Sequence, residues 1–214
     1  MAYFPLFISL TDKHCLVIGG GGVALRKIKT LLSFQADVYV VAETVCNEIR
    51  KELPPERIRI GQVKEEEISG SYLVICATDN REVNARAARL CREYRIPVNV
   101  ADSPKDSTFL FPSVVRKGEA SIGINSGTNS PALSKHIREI VEKAVPDSYG
   151  EMTLFLGKIR ERIKKEFEGE ERSRILKEAA AETFSKERVL TEEEIKEIIR
   201  RNKNDRASGR PVRY

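Results

Sequence analysis

The sequence predicts an α/β protein: a parallel sheet with crossover helices, then a small β-rich segment, then a helical domain. Three observations predict it. Short β-branched runs alternate with helical patterns through the first hundred or so residues, the arrangement that builds βαβ units. Four consecutive glycines, Gly19 to Gly22, stand between the first such run and the first helical pattern. From about Ser148 onward the apolar period is helical throughout.

His14–Ile18 reads as the first buried strand. Residues 23–34 follow as a helix with Ala24, Ile28, Leu31 and Leu32 on one face. Asp37–Ala42 is the second strand, and residues 44–53 a helix stopped by Pro54 and Pro55, since the residue before a proline is pushed out of the α region. Residues 57–60 form a short edge-type strand and 71–78 the clearest buried one. A helix over 81–95 and a fifth strand over 97–101 complete the series. After Asp102 the pattern changes. Residues 108–116 and 119–125 flank Lys117-Gly118, which predicts an antiparallel hairpin. The polar loop 126–130 leads into a helix with Ser130 as N-cap and Pro131 at its first position. Two later stripes, Leu154, Phe155, Ile159, Ile163 and Ile195, Ile198, Ile199, are expected to form the core of a small bundle. The domains expected are therefore 1–112, 113–147 and 148–214, with a mobile basic tail from about Asn202.

Composition narrows the class. With 214 residues, 41% hydrophobic and 32% charged, the chain is long enough for a sizeable core and too apolar for general disorder. No apolar run approaches the roughly eighteen residues of a membrane span. The apolar stretch 3–8 has no basic residues before it and no small-residue cleavage site after it, so a signal peptide is not expected. Cys15, Cys46, Cys76 and Cys91 show no Cys-x-x-Cys spacing and read as free thiols of a reducing, cytoplasmic compartment. With only His14 and His136 beside them, no zinc or haem pattern exists and no metal is expected. The net charge of +5 lies entirely in residues 200–214, so the folded body carries no nucleic-acid footprint.

The glycine cluster follows a strand and opens a helix, the context that gives G-x-G-x-x-G/A its meaning. Of its two registers only Gly19-x-Gly21-x-x-Ala24 ends on a small residue; the other ends on Leu25. In that register Gly19 makes the tight turn, Gly21 lets the backbone approach a pyrophosphate, and Ala24 lets the helix pack closely. The backbone N–H groups of Gly21, Gly22 and Val23 would face the anion. Glu43 lies just past the second strand, where a ribose-binding carboxylate is expected, and reads either as that group or as an exposed acid at a helix start. Residues 43–46 offer no cation for a 2′-phosphate, which favours NAD over NADP. Ligands of an open parallel sheet gather at the strand carboxyl ends. That places Thr78-Asp79-Asn80 and Asn99 to Pro104 at the same crevice. Asp79 reads as a site residue or a helix cap, and Asp102 as a site residue or an Asx turn. The 126–130 loop, with Ser126 and Asn129, is a candidate substrate contact.

Five stretches in order, Tyr3 to Phe7, Val17 to Lys27, Ala77-Thr78-Asp79 with Val83-Asn84, Asn99 to Asp102 with Phe111-Pro112-Ser113, and Asn125 to Pro131, make the chain resemble the siroheme-synthase family. These are precorrin-2 dehydrogenases, some of which also act as sirohydrochlorin ferrochelatases. The resemblance runs from residue 3 to about 140; the helical remainder matches in length and character. It implies a Rossmann-type domain, a central segment through which two subunits pair, a helical C-terminal domain, and NAD-dependent oxidation of precorrin-2 to sirohydrochlorin, a tetrapyrrole. It further implies that Gly22-Val23 and Glu43-Thr44 hold NAD and that Asp102 is the essential acid. Ser126 falls where some relatives carry a serine that can be phosphorylated. The multi-domain members continue into a methyltransferase and this sequence stops before one, so uroporphyrinogen methylation is not expected of it. The main rival reading is a non-catalytic NAD-sensing module, which has no need of Asp102 or the 126–130 loop. A nucleic-acid binder acting through the basic tail is a third.

Overall fold

The computed structural model describes residues 3–127 and 130–208. The chain divides into two compact units, Met1–Phe111 and Pro112–Tyr214.

The first unit is built on one parallel sheet of β1 (His14–Ile18), β2 (Asp37–Ala42), β3 (Ile58–Ile60), β4 (Leu73–Cys76) and β5 (Val98–Val100), in the order β3-β2-β1-β4-β5. Its helices are α1 (Gly22–Ser33), α2 (Asn47–Glu52), α3 (Glu65–Ser69) and α4 (Arg81–Glu93). Successive side chains of a strand point to opposite faces, so a strand buried on both sides needs an unbroken apolar run. The sequences of β1 and β4 supply one. Cys15, Val17, Val38, Val40, Leu73 and Ile75 pack with Ala24, Ile28 and Leu31 of α1 and Ile49 of α2. The alternate residues Leu16, Ile18, Val41, Val74, Cys76, Val98 and Val100 pack with Ala87, Ala88 and Cys91 of α4. The strand order reverses between β1 and β4, which makes their carboxyl ends the switch point of a doubly wound fold.

The structure moves several sequence-based boundaries. The helix after β2 starts at Asn47 rather than Thr44, because the Cys46 amide donates instead to the Gly20 carbonyl (2.9 Å) and holds residues 43–46 as a loop. The helix after β4 is capped by Asn80, whose side chain accepts from the Glu82 and Val83 amides, and not by Asp79. Residues 108–111 do not belong to the hairpin. The Thr108 amide donates to the Val98 carbonyl (2.8 Å), and Phe109 and Phe111 pack on the α1 side of the sheet.

The second unit opens with an antiparallel hairpin, β6 (Ser113–Lys117) and β7 (Ala120–Ile124), paired from Ser113↔Ile124 to Lys117↔Ala120. Its turn needs Gly118 twice over: φ is +59°, and a Cβ would lie 2.7 Å from the Gly150 backbone. Four helices follow, α5 (Pro131–Ala144), α6 (Ser148–Glu166), α7 (Gly169–Lys186) and α8 (Glu192–Ser208). Ile159, Ile163, Ile175, Ala179, Leu190, Ile195 and Ile198 form the bundle core, with Phe155 and Ile199 half-buried against it. Leu154 is a correction: it is 47% exposed. Met152, Ile159 and Ile163 are buried on α6 with Phe155 between, and position 154 turns away from that helical stripe. The expected mobile tail overlaps the last helix at residues 202–208, and its remainder, 209–214, lies outside the described residues. α8 continues through Ser208, and Asn202 is buried with its amide bonded to the Glu178 carboxylate and the Ile198 carbonyl. Among the described residues no helix is long and apolar enough to cross a membrane.

Candidate functional site

Three loops of the first unit meet at the carboxyl end of β1, and two glycines make the meeting possible. Gly19 has φ +129° and its amide donates to the Val41 carbonyl (2.9 Å); a Cβ there would sit 2.3 Å from the Ala77 carbonyl oxygen after β4. At Gly20 a Cβ would sit 1.9 Å from the Thr44 carbonyl oxygen after β2. Gly21 and Gly22 are different. Nothing lies within 4 Å of where their Cβ atoms would be. Gly21 is the N-cap of α1, no side chain caps that helix, and its first turn holds no acid. Open space above an uncapped helix N-terminus is an anion seat, because the first backbone N–H groups have no intrahelical partners and the helix dipole adds positive potential. The residues present therefore fit the pyrophosphate of a dinucleotide. Ala24, fully buried, is the small residue that brings α1 close to the sheet, and Val23 stands exposed beside the seat.

Glu43 and Thr44 lie exposed in the loop pinned to Gly20. Asp79 is exposed on the loop after β4, whose shape is set by its neighbours. The buried Asn84 amide donates to the Thr78 carbonyl (2.9 Å) and accepts from the Thr78 hydroxyl (2.8 Å). Asp102 sits in the turn after β5, its side chain 53% exposed, with Arg81 Nε 4.0 Å from Oδ2. Arg81 is itself 91% exposed, so water screens the pair and it is worth less than about 1 kcal/mol. The turn is closed by Ser107, whose hydroxyl accepts from the Val100 amide (2.8 Å) and donates to the Ser103 carbonyl (3.0 Å). The Asp102 carboxylate is left open to solvent rather than used in an Asx turn. Ser126 belongs to the second unit. Its hydroxyl donates to the Ser130 carbonyl (2.8 Å) and shares a 2.5 Å bond with Ser134, closing its loop onto α5. Asn129 lies outside the described residues.

The residue types alone passed over three features. Gly20, an unspecified position in the fingerprint, has less room than any other glycine of the cluster. Asn84 shapes the loop that carries Asp79. The third is Lys27, buried on α1, whose ammonium donates to Asn99 Oδ1 on β5 (2.8 Å) and lies 4.2 Å from the Phe111 ring centroid. Burial, with a smaller push from Arg26, brings its pKa down to about 8. A signal was available: Lys27 falls in the stripe Ala24, Ile28, Leu31, where a solvated lysine does not belong. A charged hydrogen bond of about 1.5–3 kcal/mol and a desolvated cation–π contact of about 2 roughly balance several kcal/mol of desolvation. The four cysteines are free, and burial pushes the Cys76 thiol up to about 12 and the Cys15 and Cys91 thiols up to about 11, which leaves them inert.

A parallel sheet in this strand order, with a glycine-lined and uncapped helix N-terminus at its switch point, defines a dinucleotide-binding Rossmann-type domain. A family model described as "Putative NAD(P)-binding" matches residues 6–113, half of the chain, and the chain belongs to that family. It is 36% identical over 174 residues to the siroheme synthase of Nitrosospira multiformis, covering 78% of this chain and 37% of that protein. It is 36% identical over 196 residues to the siroheme synthase of Methylobacillus flagellatus, covering 91% of this chain and 42% of that one. The chain thus spans well under half the length of these curated relatives. The solved structure of SirC, precorrin-2 dehydrogenase, is similar at a TM-score of 0.70 and 26% identity, over 94% of this chain and 100% of that one. The resemblance to siroheme synthases read from five short stretches stands, and the structural likeness carries it into the helical unit, where no motif did.

Proposed function

We propose that this chain is a cytoplasmic NAD-dependent dehydrogenase that oxidises precorrin-2 to sirohydrochlorin and works as a homodimer. The observation that carries the proposal is the pairing, on one sheet edge, of an open and uncapped α1 N-terminus with the solvent-open carboxylate of Asp102. The amides of Gly21, Gly22 and Val23 hold the pyrophosphate, reached through the turn at Gly19. Glu43 accepts from a ribose 2′-hydroxyl, with Thr44 beside it and Asp79 lining the opposite lip. Held there, NAD⁺ would supply the hydride acceptor for the oxidation. The ring system must then lose a proton, and Asp102 takes it while holding the substrate's orientation. The names of the siroheme-synthase and precorrin-2 dehydrogenase relatives support the choice of substrate.

Support for the homodimer lies in the second unit. A two-stranded hairpin is marginal alone, α5 buries none of its residues, and Ile122, Leu133 and Ile140 are exposed. Apolar surface of this kind is covered by self-association.

The test is anaerobic supply of precorrin-2 with NAD⁺, following the absorbance change to sirohydrochlorin. NAD⁺ binding without turnover would favour the sensing module. Ferrous ion, added as substrate in a second arm, asks whether the same chain also makes siroheme.

A further inference from the structure

Asp102 sits at the tip of a loop whose two limbs run side by side. β5 is one limb, and residues 107–111 return along it: the Val98 amide donates to the Thr108 hydroxyl (2.8 Å), the Thr108 amide to the Val98 carbonyl (2.8 Å), and the Val100 amide to the Ser107 hydroxyl (2.8 Å). The base of the loop is closed by side chains. Asn99 donates from Nδ2 to the Phe109 carbonyl (3.1 Å) and accepts on Oδ1 from Lys27 Nζ (2.8 Å), while the same ammonium lies against the Phe111 ring. Lys27 comes from α1, the helix whose N-terminus is the candidate dinucleotide seat.

We propose that Lys27 is a positioning residue: its ammonium locks α1 to both limbs of the Asp102 loop, and so sets the carboxylate against the dinucleotide seat. The functional half of this rests on the dehydrogenase reading above. Stability does not account for a lysine here. A methionine of similar length facing a leucine at position 99 would fill the same space without desolvating a charge, and such replacements are commonly neutral or stabilising. What the polar pair supplies and an apolar pair lacks is direction. Hydrophobic contact is non-directional and lets a helix slide on a sheet. A 2.8 Å hydrogen bond combined with a cation on a ring face specifies one register. A small displacement of a reacting group is enough to lose about a hundredfold in rate.

The experiment compares the full chain with Lys27→Met and Lys27→Met/Asn99→Leu. Amide hydrogen exchange, which needs no substrate, reads the lock itself; NAD⁺ titration and precorrin-2 turnover read its consequence. In the double variant we expect a wild-type melting temperature, exchange about tenfold faster at residues 98–111 but unchanged in β1 and β2, and NAD⁺ affinity within about threefold. Its kcat should fall by about 10–100-fold with KM little changed. Wild-type exchange at 98–111, or wild-type turnover in the stable double variant, would overturn the proposal and make Lys27 a packing residue. If the single variant fails to fold, the double variant decides alone. Faster local exchange with no precorrin-2 turnover even in the wild-type chain would uphold the lock and sink the dehydrogenase reading instead.

Discussion

Asp102 carries most of the proposed chemistry and almost none of the structure. Its carboxylate is open to water, its one ion pair is screened, and its turn is closed by Ser107. Asp102→Asn should therefore leave the melting temperature and NAD⁺ affinity nearly unchanged and cut precorrin-2 turnover by about 10²–10⁴-fold, the worth of a positioned acid–base group. Near-normal turnover would remove Asp102 from the mechanism, and a lower melting temperature with turnover intact would assign it to structure. Lys27 is the reverse case, a charge held where water is scarce. Its folded pKa is lowered to about 8 from 10.5, so between those values the unfolded chain holds a proton that the folded chain has released. The cost of burying the ammonium is felt in full below pH 8 and is relieved as pH rises through that window. Urea unfolding at pH 7, 8.5 and 10 should show wild type gaining on Lys27→Met by on the order of 2 kcal/mol. A gap that stays constant with pH would mean the ammonium is not desolvated.

Among the elements, α1 and the glycines before it hold the clearest contrast, since one short motif contains positions with opposite demands. Gly21 has open space where a Cβ would go, and Gly20 has the Thr44 carbonyl. Gly21→Val should fold and melt close to wild type yet lose NAD⁺ affinity by at least about a hundredfold, because the side chain occupies the pyrophosphate's place. Gly20→Ala should instead fail at folding, with loss of circular dichroism or a collapse in soluble yield, because two backbone segments must separate to admit one methyl group. Calorimetry on the first variant and thermal melts on both distinguish the cases, and a well-folded Gly20→Ala protein would contradict the packing described. The motif's meaning was legible in the sequence because its spacing reports a backbone shape. The burden on Gly20 was not, since it is imposed by residues after β2. The late start of α2 has the same origin, a hydrogen bond from Cys46 to Gly20 that overrides local helix preference. Asn80 displaced Asp79 as the α4 cap for a subtler reason: both types cap well, and only the backbone path decides which of two neighbours does so.

For the molecule as a whole, the parallel sheet and its crossover helices followed from apolar runs and their punctuation, because a strand buried on both faces has few alternatives, whereas the order of the strands and the grouping of the hairpin with the later helices in one unit did not. The second unit was less legible. Its helices were plain, but Leu154 and Phe155 are adjacent apolar residues and only the packing partner decides which faces inward. The charge excess from Arg200 onward looked like a tail, yet the ion pairs of Arg201 with Glu178 and Glu182 hold the start of that stretch as helix. The exposed faces of the hairpin and α5 lead to the prediction at this scale. Light scattering at micromolar concentration should give a dimeric mass, and Ile140→Lys should shift it toward monomer without changing the helical content; a monomeric wild-type chain would refute it.

The contact between Gly19 and the end of β4 bears on how this protein comes into being. The glycine fingerprint is complete once residue 24 has been synthesised, but β1 lies between β2 and β4, so one of its edges stays unpaired until Leu73–Cys76 emerges from the ribosome. The carbonyl of Ala77, against which Gly19 is fitted, comes later still, and Asn99 and Phe111 later again. A nascent chain thus displays the whole nucleotide motif well before it has any place to put a nucleotide. Ligand present during synthesis meets no competent seat until the fourth strand has docked, and a truncated chain ending before it would be handled by the cell as an exposed apolar ribbon rather than as a small binding protein.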